Sequence, residues 1–482
     1  MWELLERSWP YLLFTAHMTT ICLASAHVVL TKRDVRAAIG WVGIIWLTPF
    51  VGTILYFTLG INRIHRKARR MRGGLGHRDS SPGFRHVSQD VVQRVLGDDG
   101  HLAPLVGYIG RLARQPLLDG NSIRTLVGGR AAYDEMLAAI TGAKSSIAVE
   151  SYIFDNDPLG RKFAAALAAA RGRGVEVRVL IDSVGARYTW PTIRHYLRKL
   201  QVPCASFLPT LLPGKLHYTN LRNHRKIMVV DGQIGFTGGM NIRQGHLCEP
   251  GERHPVQDTH FRLEGPIVAQ LRETFAADWE FASGEVLDNP AWFPHLTPRG
   301  QSLCRGIADG PDLDSGKIQL AILGAIGCAR NSLDIMTPYF LPDLPLITAL
   351  NVAAMRGVAV NIILPEENNL ALVQWASTAQ LWQVLQRGCR VWLAPAPFDH
   401  SKLMVVDGIW SFFGSANWDP RSLRLNFEFN VESYDRDLAG ELAALILNKR
   451  KAGREITLAE VDARPLWQRL RDGVARLAMP YL

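Results

Sequence analysis

Two stretches near the start of the chain contain no Asp, Glu, Lys or Arg: residues 8–31 and residues 37–62. A water-soluble surface needs charge, so neither is expected on the outside of a soluble domain. Each is long enough to cross a hydrocarbon core as a helix, which takes about 20 residues. Cysteine is scarce as well. The six (Cys22, Cys204, Cys248, Cys304, Cys328 and Cys389) are scattered, with no Cys-x-x-Cys pair. They imply neither a zinc site nor a disulfide framework, and they suit a reducing compartment. Charged residues make up only 20% of the 482 and hydrophobic ones 48%, a shift toward membrane segments. Acids are the scarcer sign, 44 against 54 basic residues, giving a formal charge of +10. That surplus suits an anionic partner, either nucleic acid or acidic lipid.

The second uncharged stretch is dense in apolar residues (Ile39, Trp41, Ile44, Ile45, Trp46, Leu47, Phe50, Val51, Ile54, Leu55, Phe57), and Pro49 is placed to kink it. The first is weaker and holds His17 and His27, which are expected at interfacial or helix-facing positions. A cleaved signal peptide competes for this first stretch, but Glu3 and Glu6 beside a single Arg7 make a poor positive leader. Two uncleaved transmembrane helices are therefore expected within residues 1–62. The hinge carries Lys32, Arg33 and Arg36, and the second stretch is followed by Arg63, Arg66, Lys67, Arg69, Arg70 and Arg72. The larger cluster places both ends of the pair in the cytoplasm, with the hinge charges opposing; a re-entrant first segment is the alternative. Directly after a span, the basic run fits anionic lipid better than nucleic acid.

The pattern His-x-Lys-x4-Asp-x6-Gly-x-x-Asn occurs twice: His224, Lys226, Asp231, Gly238, Asn241, and His400, Lys402, Asp407, Gly414, Asn417. A lone histidine is more often structural than catalytic, but repetition of the full pattern removes that explanation. The residue types fit phosphoryl transfer. Histidine serves as nucleophile, acid or base near neutral pH. Lysine brings charge to phosphoryl oxygens, and asparagine offers N–H donors to them. The apolar runs Ile227–Val230 and Leu403–Val406 read as buried strands. Histidine and lysine, two apart, then point together into one pocket. A further carboxylate follows each copy, Asp258 and Glu428. Each is a candidate to orient its histidine, against the alternative of an ordinary solvated acid.

These residues resemble the phospholipase D superfamily, and within it the bacterial cardiolipin synthases of the phospholipase D type. Supporting stretches are Thr337-Pro338-Tyr339-Phe340, Arg421-Ser422-Leu423, Leu425-Asn426-Phe427-Glu428 and Arg464-Pro465-Leu466-Trp467. The chain departs at Gly239, where the family often carries serine; Ser415 is kept in the second copy. The resemblance implies an α/β fold of two similar lobes related by a pseudo-twofold, with the site between them. It also implies metal-independent, cofactor-free, two-step transphosphatidylation in a bacterial inner membrane; the basic clusters described above place the catalytic domain in the cytoplasm. The partner would be anionic phospholipid, phosphatidylglycerol, rather than nucleic acid. Asp231 and Asp407, counted with the catalytic motif, would by resemblance brace it.

An internal repeat supports duplication: Ala143–Val149 aligns with Ala329–Ile335, and Arg173–Val177 with Arg356–Val360. Each half reads as βαβ units with a partly parallel sheet. The expected organisation is two transmembrane helices over 1–62, and a basic segment and linker over 63–117. A first lobe follows over 118–290, an inter-lobe linker over 291–316, and a second lobe over 317–460. An amphipathic helix over 461–482 completes it. Within 86–117, Val91, Val92, Val95, Leu102, Leu105, Ile109 and Leu112 are expected to be buried, on the first lobe or at the membrane. The stretch Lys215–Lys226, with His217, Tyr218, Arg222 and Arg225, is open between a head-group site and a solvated loop. In the last helix Leu466, Trp467, Leu470, Val474 and Leu477 share a face, which suits a membrane interface or packing on the catalytic domain.

The expected mechanism has one histidine, taken as His224, attack the phosphorus of phosphatidylglycerol while His400 protonates the departing glycerol. The hydroxyl of a second phosphatidylglycerol then attacks the phosphohistidine. Pseudosymmetry leaves the two roles exchangeable. A hydrolytic phospholipase D or a nuclease would use the same residues.

Overall fold

The computed structural model describes residues 2–32, 35–60, 87–208, 221–311 and 316–479. The basic run 63–72, the Gly/Ser-rich passage 73–85 and Lys215, His217 and Tyr218 lie outside them. The chain divides into two compact units, residues 1–67 and 68–482.

In the first unit, α1 (Trp2–Thr31) contains a 21-residue segment, Tyr11–Thr31, long and apolar enough to span a bilayer. The second uncharged stretch corrects the expectation of a second continuous span. It breaks at Thr48, whose backbone leaves the helical region before Pro49, as a residue preceding proline tends to. Here α2 (Val35–Leu47) gives way to α3 (Pro49–Leu55) and a π-helical turn, Tyr56–Gly60. The two arms fold back on each other. A Cβ on Gly52 would lie 2.6 Å from the carbonyl oxygen of Ile44, so only glycine permits the approach. The Trp41 and Tyr56 rings meet at 5.6 Å. Against α1, the His17 ring sits 5.6 Å from Phe50 near the hairpin tip. At the other end the Tyr56 hydroxyl meets His27 Nδ1 at 2.8 Å and Thr31 Oγ1 at 3.1 Å, and the Lys32 ammonium donates to the Gly60 carbonyl. The hairpin therefore reaches only from Thr31 back to His17, about 21 Å along α1 at 1.5 Å per residue. That is short of the roughly 30 Å hydrocarbon thickness.

The second unit is built on a 16-stranded sheet. The first half contributes β1 (Leu118–Val127), β2 (Ser146–Ser151), β3 (Glu176–Asp182), β4 (Cys204–Phe207), β5 (Arg222–Asn223), β6 (Ile227–Val230), β7 (Ile234–Gly238), β8 (Val256–Gln257) and β9 (Thr259–Glu264). The second contributes β10 (Ser302–Asp309), β11 (Ser332–Met336), β12 (Ala359–Pro365), β13 (Arg390–Ala394), β14 (Phe398–Asp399), β15 (Leu403–Val406), β16 (Trp410–Gly414), β17 (Asn426–Tyr434) and β18 (Arg454–Ile456); β8 and β14 stand apart as a separate two-stranded sheet, and β5 pairs with β17. The order β18-β13-β12-β11-β15-β16-β17-β10-β1-β9-β7-β6-β2-β3-β4 is the same in both directions from the β10–β1 seam, apart from β18. β2–β3–β4 and β11–β12–β13 are parallel, the rest of each half antiparallel. The duplicated α/β lobes are thus joined edge to edge.

Two assignments move. β10 lies inside the passage expected as a linker and is the seam itself, paired with β1 and β17. The helices at 89–96 and 103–113, with the 3-10 turn between them, bury Val92, Leu102, Leu105 and Ile109 in the core of the second lobe, beside Ile318, Ile322 and Ile326 of helix Lys317–Cys328. Val91, Val95 and Leu112 pack partly against the same core. The first lobe has its own core, centred on Phe154, Phe163, Val179 and Phe236.

The final helix, α4 (Leu466–Leu477), is turned inside out. Asp472 and Ala475 are buried, whereas Leu466, Trp467, Leu470, Val474 and Leu477 are all more than 60% exposed. Asp472 is held by ion pairs with Arg464 and Arg471, and the Arg471 guanidinium stacks on both Trp375 and Trp467.

Candidate active site

Each His-x-Lys motif starts at a short strand that crosses between the lobes. β5 pairs with the start of β17, and His224 N–H donates to the Phe427 carbonyl. The equivalent β14 pairs with β8, and His400 N–H donates to the Gln257 carbonyl. The residue between histidine and lysine points away from the pocket. Arg225 reaches across the seam to the carbonyls of Glu428 and Asp309, both at 3.0 Å, and pairs with Asp278 of its own lobe. Ser401 meets Thr259 hydroxyl to hydroxyl at 3.0 Å.

Both histidines line one cavity of about 360 Å³ with Asn241 and Asn417. The carboxylates found downstream of each motif hold these histidines, but crosswise. His224 Nδ1 lies 3.0 Å from both oxygens of Glu428, and His400 Nδ1 lies 2.8 Å from Asp258 Oδ2. Each lobe therefore orients the other's histidine; this corrects the pairing of each acid with its own motif. The bond to Nδ1 leaves Nε2 for the pocket. Burial first, with Lys226 and Lys402 adding, pushes His224 down to about 4 against the pull of Glu428. Burial and the two lysines take His400 well below its usual range. Burial raises the Glu428 carboxyl, and the His224 ring, Lys226 and Ser415 more than reverse this, so it stays ionised below its ordinary value.

The lysines are buried beside the histidines. Lys226 Nζ donates to the His224 carbonyl at 2.6 Å; Lys402 Nζ donates to the His400 carbonyl and lies 3.0 Å from its Nδ1. Burial lowers Lys226 to about 7 and Lys402 to about 8. Asn241 Oδ1 accepts from Ile153 N–H at 3.0 Å, leaving its N–H groups for the pocket, and Asn417 donates to Ser422 Oγ at 3.3 Å. Asp231 and Asp407 do not line the cavity. Each sits at a turn with φ of 51° and collects backbone N–H groups: Lys144, Ser145 and Ser146 for Asp231; Arg330, Asn331 and Ser332 for Asp407. His101 Nε2 adds a 2.7 Å contact to Asp407.

The missing serine has a steric account. Ser415 Oγ donates to Glu428 Oε2 at 2.5 Å. At Gly239 a Cβ would meet Asp258 Oδ1 at 2.3 Å. The shorter acid occupies the space a serine would need, and the two half-sites differ as paired units, Gly239 with Asp258 and Ser415 with Glu428.

Sequence reasoning assigned no role to several pocket residues. Tyr152, directly after β2, and Tyr339, three residues after β11, set their rings 5.2 Å from His224 and 6.0 Å from His400. His246 is buried 6.5 Å from His400, with Nδ1 donating to the Val256 carbonyl. Arg243, Asp419 and Arg421 also line the cavity, as does Arg222, which belongs to the stretch left open between a head-group site and a solvated loop. The available signal was their nearness to the motifs, with Arg243 and Asp419 each two residues beyond a motif asparagine.

The family profile described as "Cardiolipin synthase, PLD-like domain" matches residues 136–279 and 322–449, and one described as "Phospholipase_D-nuclease N-terminal" matches 21–60. The chain belongs to the phospholipase D-like cardiolipin synthase family. It is 32% identical over 474 residues to cardiolipin synthase A of Pseudomonas putida (strain GB-1), covering 98% of each chain. It is 31% identical to the major cardiolipin synthase ClsA of Bacillus subtilis (strain 168), covering 96% of this chain and 97% of that one. The fold is similar to the crystal structure of phosphatidylserine synthase from Haemophilus influenzae Rd KW20, with a TM-score of 0.62, 16% identity, and coverage of 78% of this chain and all of that one.

Proposed function

We propose that the chain is a phosphatidyltransferase that makes cardiolipin from two phosphatidylglycerol molecules. The observation that carries this reading is the pair of buried histidines, each with Nδ1 fixed by a carboxylate of the opposite lobe, facing one cavity. One histidine Nε2 attacks the phosphorus. The P–O bond to glycerol breaks, and the other histidine, protonated on Nε2 when the anionic phosphate enters the pocket, gives that oxygen a proton. The second histidine then takes the proton of the acceptor hydroxyl, whose oxygen displaces the first histidine from phosphorus. Asn241, Asn417, Lys226 and Lys402 neutralise the phosphoryl oxygens. Asp258 and Glu428 are positioning residues, and Asp231 and Asp407 brace the two loops that carry the motifs.

The lipid class is supported by the membrane unit, by cardiolipin synthase relatives over nearly the whole chain, and by the outward apolar stripe of α4, which suits a bilayer surface. A nuclease would have no use for these features. The test is to give the membrane-embedded protein labelled phosphatidylglycerol alone. Cardiolipin with an equal amount of free glycerol is expected. Phosphatidic acid as the main product would make the protein a hydrolase. No product would turn the search to phosphatidylethanolamine as donor.

The membrane arrangement is proposed as one spanning helix and one re-entrant hairpin in the bacterial inner membrane. Both ends of the hairpin then lie on the side where α1 ends. The basic hinge (Lys32, Arg33, Arg36) and the basic run 63–72 fall on that same side, which the positive-inside rule makes cytoplasmic. The chain beyond Gly60 continues there, and the Trp2 end of α1 lies outside. A tag placed before Trp2 should be cleaved by protease added to spheroplasts, and one placed after Leu482 should be protected. Protection of both would restore two full spans.

A further inference from the structure

The pseudo-twofold that relates the two half-sites breaks at the flanks of the cavity. The two inter-lobe strand pairs are equivalent. Arg222 stands two residues before His224, and Phe398 two before His400; Asn426 stands two before Glu428, and Val256 two before Asp258. In the fold, Arg222 pairs with Asn426 and Phe398 pairs with Val256, and all four line the cavity. One flank is therefore cationic and polar where the other is apolar. The apolar flank is extended by Tyr339, whose ring lies 6.2 Å from Phe398. The polar flank is extended by half-buried Arg421, on the helical turn Pro420–Arg424 that leads into β17. That turn is fixed to the second motif: Asp419 caps it through Ser422 N–H at 2.8 Å, and Asn417 donates to Ser422 Oγ. Arg222 is buried beside Asp182, and its Nη1 donates to the Leu221 carbonyl. The third cavity arginine, Arg243, is paired with Asp155 at 3.4 Å.

The reaction needs such an asymmetry. Two histidines, two asparagines and two lysines serve one phosphorus. The acceptor lipid carries a second phosphodiester, also anionic, which cannot share that centre and is left near it when its glycerol hydroxyl attacks. A guanidinium is the side chain suited to a phosphodiester, since it gives paired, charge-assisted hydrogen bonds to two oxygens. Water as acceptor would require nothing there.

We propose that Arg421, with Arg222 behind it, forms a second phosphodiester subsite that holds the acceptor lipid on the β5–β17 flank of the cavity. This rests on the cardiolipin-forming reading above and assigns the acceptor a side. The subsite makes a phosphoglycerol lipid a better acceptor than a free alcohol.

The experiment compares two reactions of the full-length protein in phosphatidylglycerol vesicles. One is incorporation of labelled free glycerol into phosphatidylglycerol, in which the acceptor carries no phosphate. The other is cardiolipin formation. In Arg421→Gln the ratio of cardiolipin formation to glycerol exchange should fall about tenfold or more, the loss of a charge-assisted hydrogen bond. Arg421→Lys should recover part of that ratio. An unchanged ratio in Arg421→Gln, or a parallel loss of both reactions in Arg421→Gln and Arg421→Lys alike, would overturn the subsite. Absence of both reactions in the unmutated protein would instead overturn the function on which it rests.

Discussion

His224→Ala and His400→Ala are each expected to lower cardiolipin formation by about 10⁴-fold or more, and the double variant little further. The two rings act on one phosphorus in sequence, and residues that act as a unit are grossly non-additive. The variants also separate the roles. The enzyme that still becomes labelled by phosphatidylglycerol, however slowly, retains the nucleophile; the unlabelled one has lost it. Pseudosymmetry alone does not choose, because each ring has a carboxylate at 2.8–3.0 Å from Nδ1. Normal turnover in either variant would sink the mechanism.

The second large effect is on pH. Lys226 and Lys402 neutralise phosphoryl charge only as ammonium ions. Burial lowers them to about 7 and about 8, from the ordinary lysine value of 10.5. A depressed folded value means that the charge is present at low pH and lost as pH rises through 7 to 8. The histidines, lowered well below 7, stay neutral in the empty pocket over that interval and contribute no opposing change. Because kcat/KM reports the free enzyme, it should fall above about pH 8, by tenfold per unit or more steeply if both charges are needed. Initial rates at fixed vesicle composition between pH 6 and 10 would measure it. A profile flat to about pH 9.5 would mean that the lysines titrate as ordinary side chains.

Much of the site was legible because it is written twice. The spacing of His224 to Asn241 and of His400 to Asn417 encodes a strand, a tight turn and a return strand, all local in sequence. The lobes followed from the aligned segments 143–149 and 329–335. Pairings across the seam were not legible. That Glu428 serves His224 and Asp258 serves His400 depends on the contacts β5–β17 and β8–β14, some 140 to 200 residues apart in sequence. Nor could hydropathy tell a spanning helix from a folded-back pair. Residues 37–62 are equally uncharged in both, and the difference lies in Pro49 and Gly52. The stripe on α4 was legible, but its direction was not. Asp472 prefers burial there because Arg464 and Arg471 meet it, a tertiary fact. The β10 strand was hidden in a Pro/Gly-rich passage whose composition reads as linker.

The crossed histidine–carboxylate bonds also have a consequence in time. A ribosome releases the first motif long before residue 428 exists. Until then His224 has no carboxylate to fix its ring, and no second histidine faces it. The nascent chain, already anchored by α1, therefore carries no working phosphodiester-cleaving centre next to the lipids around it. A chain that ends before residue 428 lacks that carboxylate for the same reason. The bilayer meets this chemistry only once both lobes have been made and the seam between them has closed.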